Sequence, residues 1–313
     1  MLALHAPQIE RNAPIPTWFA IGGAADRLAR PASPDELRAC LDLDPDLRVL
    51  GDGANLLVDD DGIPNLVVAL NQPAFTSVTF DGSRVHAGAG ANLPKLILES
   101  VRRGLAGLEG LGGIPASVGG AAIMNAGGTF GQFADAVHAV HGFDRAGRPV
   151  SLARNDIPFD YRRSGLNHLV LTAVELALNP ADPAPLRDRL KDVMAYKKRT
   201  QPMGEPSAGC VFKNPTVDPD LAERLEHKPA DGPRRVSAGM LLDRAGCKGL
   251  RAEGGGARIS DFHANFVVTE PGARARDVID LMRRARQRVL DAFGVSLEPE
   301  VVIWRRNPTE HLP

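Results

Sequence analysis

Ten of the 28 positions from 104 to 131 are glycine, yet Leu108, Leu111, Ile114, Val118, Ile123 and Met124 keep the stretch apolar. It does not read as a solvated linker. Glycine loses the most backbone freedom on folding, so a buried run is costly unless close approach or positive φ demands it. A large flat or phosphorylated ligand lying against bare amides is one such demand. The competing reading is a string of tight turns between short core strands. Upstream, Gly51-Asp52-Gly53-Ala54-Asn55 is a compact turn between two apolar runs. Its consecutive amides could form an anion nest braced by the Asn55 side chain; standing alone, the motif serves equally as a turn without ligand. It is not a dinucleotide fingerprint, because the third glycine is missing and a strand follows, and no GxxxxGK[ST] loop occurs.

Three further groups carry reactive side chains. Tyr161-Arg162-Arg163-Ser164 sets two guanidinium forks beside an aromatic, suited to carboxylate or phosphate, although such pairs are often solvated surface. Ser207-Ala-Gly-Cys210-Val-Phe-Lys213-Asn214 places a thiol after a small flexible dipeptide. A buried free cysteine is usually packing, but with a reference pKa of about 8.5 a thiol can also be a proton donor. His263 is a conceivable base, yet no cysteine-protease signature surrounds Cys210. Glu298 reads as surface, whereas Glu300 leads into Val301-Val302-Ile303. Lys198 and Arg199 close a predicted helix, where cations complement the macrodipole. The eight histidines are scattered, with no HExxH and no paired CxxC, so no metal is expected.

The positioning elements can be read locally. Ser33-Pro34-Asp35-Glu36 is a capping box opening a helix to about residue 43. Residues 48–50 and 56–58 are strands flanking the GDGAN turn, 66–70 is a buried strand, and 78–80 with 84–87 form a hairpin. A helix is expected over 93–103, stopped by Gly104. Residues 137–143 and 149–152 form a second hairpin, 169–178 is a longer strand, and 179–185, with three prolines, is the expected linker. A helix ending at 197–199 follows, then short strands near 210–213 and 265–268, and helices over 237–245 and 274–293. Hairpins and helices mix without regular alternation, so the fold class is α+β.

At 313 residues, two or three domains are expected. A formal net charge of -1 supplies no field for nucleic acid or acidic membrane. Three distant cysteines suggest no disulfide framework. The first residues lack a basic leader and a long apolar run, and no stretch is long and apolar enough to span a bilayer, so a cytoplasmic chain is expected. No obligatory protein partner is evident.

Taken together, the blocks GDGANLLV, GLGGIPASVGGAAIMNAG, YRRS, PSAGCVFKNP, SAGMLLDRAG, HANFVV and LEPEV, in this order, resemble the UDP-N-acetylenolpyruvoylglucosamine reductases. The likeness runs from Thr17-Trp-Phe-Ala-Ile-Gly22-Gly23 to Glu300, and the short interval between Tyr161 and Cys210 resembles the subclass without the tyrosine loop. The resemblance implies a vanillyl-alcohol-oxidase-type FAD-binding fold: subdomains 1–70 and 71–183, then a substrate-binding α+β domain 184–313 whose last segment returns toward the flavin. It implies FAD held by Gly51, Asp52, Gly53, Ala54, Asn55, Leu56, Gly113, Ile114, Pro115, Ser117, Val118, Gly119, Gly120, Asn125, Ala126 and Gly127. NADPH would reduce the flavin, leave, and be replaced by UDP-N-acetylglucosamine enolpyruvate, a ping-pong order. Arg162, Cys210 and Glu300 would be catalytic, with Lys213, Asn214 and Arg199 binding substrate. Cys210 departs from the serine commoner in the family.

Overall fold

The computed structural model describes residues 7–225 and 234–307. The chain forms two compact units, the first made of residues up to Pro14, Ala25–Asp52 and Pro64–Arg199, the second of Ile15–Ala24, Gly53–Ile63 and the remainder from Thr200. The chain therefore changes unit inside the GDGAN turn.

The first unit holds two separate sheets. A four-stranded sheet runs in the order Ile9–Pro14, Ala24–Ala29, Ile63–Ala69, Arg48–Leu50, its last pair parallel. A five-stranded antiparallel sheet runs Pro149–Ala153, Val137–Asp144, Leu169–Ala177, Arg84–Gly88, Val78–Asp81. Both expected hairpins are present at their expected turns. Helices Pro34–Leu43 and Leu93–Arg102 start as anticipated, each with proline in the first turn and a side-chain cap from Ser33 or Asn92. Leu37, Leu41, Leu93, Leu96 and Ile97 then face one core with Leu66, Val68, Val140 and Val174.

Two expectations need correction. Residues 179–185 are not a linker: Asn179–Pro180 pairs with Leu105–Ala106, and Pro183 opens the 18-residue helix Pro183–Thr200. Prolines punctuate an element as readily as they separate elements. The glycine block contains a helix, Val118–Met124, which its Gly119-Gly120 pair in the first turn concealed.

In the second unit, Leu56–Val58 pairs in parallel with Val302–Trp304, so the strands flanking the GDGAN turn belong to different sheets. Helix Ala275–Phe293 buries Val278, Leu281, Met282, Ala285 and Val289, one stripe at helical spacing. The Asp60 carboxylate accepts from the amides of Ala275 and Arg276 at 2.7 and 3.2 Å, and Gly294 ends the helix at φ 69. The stripe packs with Phe19, Leu57, Phe212, Leu241 and Val267. Among the described residues no helix is long and apolar enough to cross a membrane.

A Cβ at Gly90 would lie 1.7 Å from the Leu70 carbonyl oxygen, whereas one at Gly128 would meet nothing within 4 Å. Gly90→Ala is expected to cost about 3 kcal/mol and Gly128→Ala less than about 0.5 kcal/mol, measured by urea unfolding.

Candidate active site

The glycine motifs of the first unit converge. Segment 88–92 lies along 116–119, with Leu93 donating to the Ala116 carbonyl at 2.9 Å, Val118 to Ala91 at 2.9 Å and Gly119 to Ala89 at 2.7 Å. Asn92 caps the Lys95 amide with Oδ1 at 3.0 Å while its Nδ2 donates to Asp52 at 3.4 Å. A Cβ on Gly51 would sit 2.5 Å from Ser117 Oγ, the atom that caps Gly120 at 3.2 Å. Burial raises the Asp52 pKa, partly offset by the Asn92 hydrogen bond.

Not every glycine here serves a ligand. A Cβ on Gly112 would reach Leu190 Cδ1 at 2.5 Å and one on Gly113 would reach Met194 Sδ at 2.9 Å, so both lie against flexible side chains of helix Pro183–Thr200. Gly119 is bare for Ala89, and Gly127 for Gly131 and Gln132. Leu56 and Val118 are buried side chains. Gly51 meets only the Ser117 side chain, and Gly120 is exposed. The amides of Gly51, Asp52, Gly53 and Ala54 meet no acceptor among the described residues. Consecutive unsatisfied amides suit a phosphate, so this donor set fits a nucleotide cofactor such as FAD.

The last turn of Val118–Met124 organises the arginine motif. Asn125, left-handed at φ 43, donates Nδ2 to the Asp160 carbonyl at 2.9 Å and to Gln132 Oε1 at 3.0 Å. Its Oδ1 accepts from the Ala134 amide at 3.0 Å, and Ser164 Oγ donates to the Ile123 carbonyl at 2.7 Å. Between these anchors Asp160 and Arg163 form a tight main-chain turn, which drives Arg162 to φ 53. A non-glycine residue held there stores strain and marks a site worth testing for function. Sequence left Arg162 and Arg163 equivalent. In the fold Arg163 is exposed, 3.9 Å from Asp160, and Arg162 is half-buried over the Tyr161 ring.

In the second unit, residues 210–214 do not form the regular strand expected near 210–213: the chain bends at Val211 between isolated bridges Cys210–Phe266 and Phe212–Pro299. On one edge Val211 donates to the Asn265 carbonyl at 2.9 Å; on the other Glu300 donates to the Val211 carbonyl at 2.8 Å and Lys213 to the Glu298 carbonyl at 2.9 Å. Asn55 Nδ2 donates to the Glu300 carbonyl at 3.0 Å, so Asn55 braces the segment at Glu300 rather than its own turn. Cys210 and Glu300 are thereby brought onto one framework, and both are half-buried. Lys213 pairs with exposed Glu298 at 3.4 Å, and Asn214 Oδ1 accepts from the Ala238 amide at 2.9 Å. Arg162 and Arg199 belong to the first unit, and Arg199 is an exposed helix-end cation.

Of the three thiols, Cys40 and Cys247 are fully buried; burial pushes Cys40 up to about 11 and raises Cys247 as well. That leaves Cys210 as the accessible one. Among the described residues no group of three His, Cys, Asp or Glu side chains could hold a metal. Sequence reasoning passed over Asn92, Ser164 and Asn265. Only Asn92 carried a local signal, an asparagine just before Leu-Pro at a helix start.

Asn125→Ala is expected to lower stability by about 2–4 kcal/mol, because three side-chain hydrogen bonds go, one of them fully buried, and alanine resists positive φ. Asn125→Gly should recover roughly 1 kcal/mol of that loss in the same urea titration. His263 packs edge-on against Phe266, 4.8 Å between centroids, and burial lowers its pKa. The unfolded chain therefore protonates it first as pH falls through about 6.5, so stability is flat above that value and declines below it. The difference between parent and His263→Gln, followed by unfolding from about pH 8 to 5, should show that decline only in the parent.

Residues 25–153 match the family model described as FAD binding domain, and residues 201–304 match that of the UDP-N-acetylenolpyruvoylglucosamine reductase C-terminal domain. A UDP-N-acetylenolpyruvoylglucosamine reductase from Anaeromyxobacter sp. is 40% identical over 94% of this chain and 88% of its own length. UDP-N-acetylenolpyruvoylglucosamine reductase 2 from Symbiobacterium thermophilum is 39% identical over 93% of this chain and 90% of its own. The crystal structure of the Thermus caldophilus reductase superposes with a TM-score of 0.79 at 38% identity, covering 95% of this chain and 99% of that one. With likeness of this depth over nearly the full length, the chain belongs to the UDP-N-acetylenolpyruvoylglucosamine reductase family, on a FAD-binding fold of the vanillyl-alcohol-oxidase type.

Proposed function

We propose that the chain reduces UDP-N-acetylglucosamine enolpyruvate to UDP-N-acetylmuramate in peptidoglycan precursor synthesis, in the cytoplasm. NADPH is the hydride donor and FAD the bound carrier, in ping-pong order. Family membership supports the reaction; the observation that carries it to residues is the joining of Cys210 and Glu300 through Val211. The Gly51–Leu56 turn, segment 113–120 and the Asn125–Gly127 turn would hold FAD. Bound there, FAD would supply hydride-transfer chemistry for the enolpyruvyl group. The two separate sheets of the first unit support the flavin-holding parts 1–70 and 71–183, ahead of the substrate part 184–313. Pairing of Val302–Trp304 with Leu56–Val58 supports the return of the last segment.

This chain's own residues then manage charge and proton. Arg162 presents a planar fork to the substrate carboxylate, on which negative charge grows during reduction. Glu300, protonated or hydrogen-bonded, polarises the same group. The Cys210 thiol gives its proton to the alpha carbon and is left as thiolate, to be reprotonated before the next turnover. Asn214, its carbonyl end fixed by the Ala238 amide, is the better candidate of the polar pair for direct contact, and the sharing of Lys213 with Glu298 supports that choice. Arg199 contributes at most a diffuse attraction for the diphosphate from the helix end.

Cys210→Ala is expected to slow reoxidation of reduced enzyme by the enolpyruvyl substrate by about 10²–10⁴, with reduction by NADPH within about twofold of the parent. Cys210→Ser should keep measurable turnover. Survival of both half-reactions in Cys210→Ala removes the proton from that thiol.

A further inference from the structure

The segment carrying Cys210 lacks an ordinary strand partner at one point. Phe212 is 1% exposed, so both its main-chain polar groups need partners inside the protein. A side chain meets them: Phe212 donates its amide to Asn265 Oδ1 at 3.0 Å, and Asn265 Nδ2 donates to the Phe212 carbonyl at 2.8 Å. The Asn265 carbonyl meanwhile accepts from Val211, and Cys210 bridges to Phe266. Asn265 is itself 1% exposed and anchored, its amide donating to His263 Nδ1 at 3.2 Å. A side-chain amide offers one donor and one acceptor side by side whatever the pH, which a carboxyl of the same length does only while protonated. Aspartate would lose the donor, and an aliphatic side chain would leave two buried main-chain groups unmet.

We propose that Asn265 is a positioning residue for the reaction: its amide, closed on both polar groups of Phe212, sets where Cys210 and Asn214 stand. The inference rests on the reading of Cys210 as the proton donor. Asn265 touches no reacting atom, and its effect passes through the segment. A displacement near 1 Å of a reacting group can cost about 10²-fold in rate. Loss of the clamp should therefore fall on the step that uses Cys210 and spare the step that does not.

Asn265→Asp separates this role from simple packing, since the volume is unchanged and the donor depends on protonation. A buried carboxyl facing a carbonyl is held neutral to higher pH; while neutral it donates to Phe212 and the clamp is whole, and once ionised it repels that oxygen. Among the described residues the other titratable or charged groups here are His263, which feels Lys248 and Asp243, and along the held segment Cys210, Glu300 and the Lys213–Glu298 pair. Dividing each variant rate by the parent rate at the same pH removes their titrations.

The FAD-loaded enzyme and its variants are compared in anaerobic stopped flow. For Asn265→Asp, reoxidation by the enolpyruvyl substrate is expected to be tenfold or more below parent at about pH 8.5 and within about threefold at about pH 6. Reduction by NADPH should stay within about twofold at both. Asn265→Ala should be slow in reoxidation at both pH values, without recovery. Parental reoxidation in folded, flavin-bearing Asn265→Asp at both pH values overturns the proposal. So do equal losses in both half-reactions, a loss without pH recovery, or unfolding of the aspartate variant at the higher pH. Cys210→Ala measured alongside distinguishes the two claims. If it loses reoxidation while Asn265→Asp does not, the clamp alone has failed. If it keeps reoxidation while Asn265→Asp loses it, the acid lies elsewhere on the segment and the clamp stands.

Discussion

The amide of Glu300 donates to the carbonyl of Val211 at 2.8 Å, and the candidate chemistry of the second unit depends on that bond. It ties a residue near the end of the chain to the segment that begins at Cys210. Asn55 holds the same Glu300 by its carbonyl, so the GDGAN turn enters the framework as well. Three segments far apart in sequence thus share one hydrogen-bonded spine. Each contributes a side chain of a different kind: an amide brace, a thiol and a carboxyl.

The first unit solves a different problem, how to hold main chain open. Unpaired amides are costly when buried and useful when a phosphate takes them up. Here Asn92, which caps its own helix, also ties down Asp52 in the turn that carries them. Much of the glycine content serves something plainer. Gly112 and Gly113 lie against side chains of helix Pro183–Thr200, and Gly119 lets segment 88–92 lie close. Several glycines of the enriched stretch therefore have a packing reason of their own.

Local grammar was well read from sequence. The Ser33 cap, the Gly294 stop, both hairpins and the strand Leu169–Ala177 appear where composition and periodicity put them. Strands Ile9–Pro14 and Ala24–Ala29 escaped, because Ile9–Pro14 is mostly polar and exposed and both find partners only across the sheet. The site was legible as motifs but not as mechanics. Nothing in Tyr-Arg-Arg-Ser announces that Arg162 takes positive φ, since that follows from Asn125 gripping Asp160 across 35 positions. Nor does Asn265 look special in sequence: its partner lies 53 residues away, and its task is to stand in for a strand.

Whether main-chain amides and these side chains serve a flavin is most directly tested on the unaltered protein by its visible absorption spectrum. The account predicts a yellow protein, or a colourless one that turns yellow and fluorescently quenched on incubation with FAD, whose band is bleached anaerobically by NADPH and returned by UDP-N-acetylglucosamine enolpyruvate. A chain that stays colourless after incubation with FAD, or a bleached band that the enolpyruvyl compound does not restore, contradicts it.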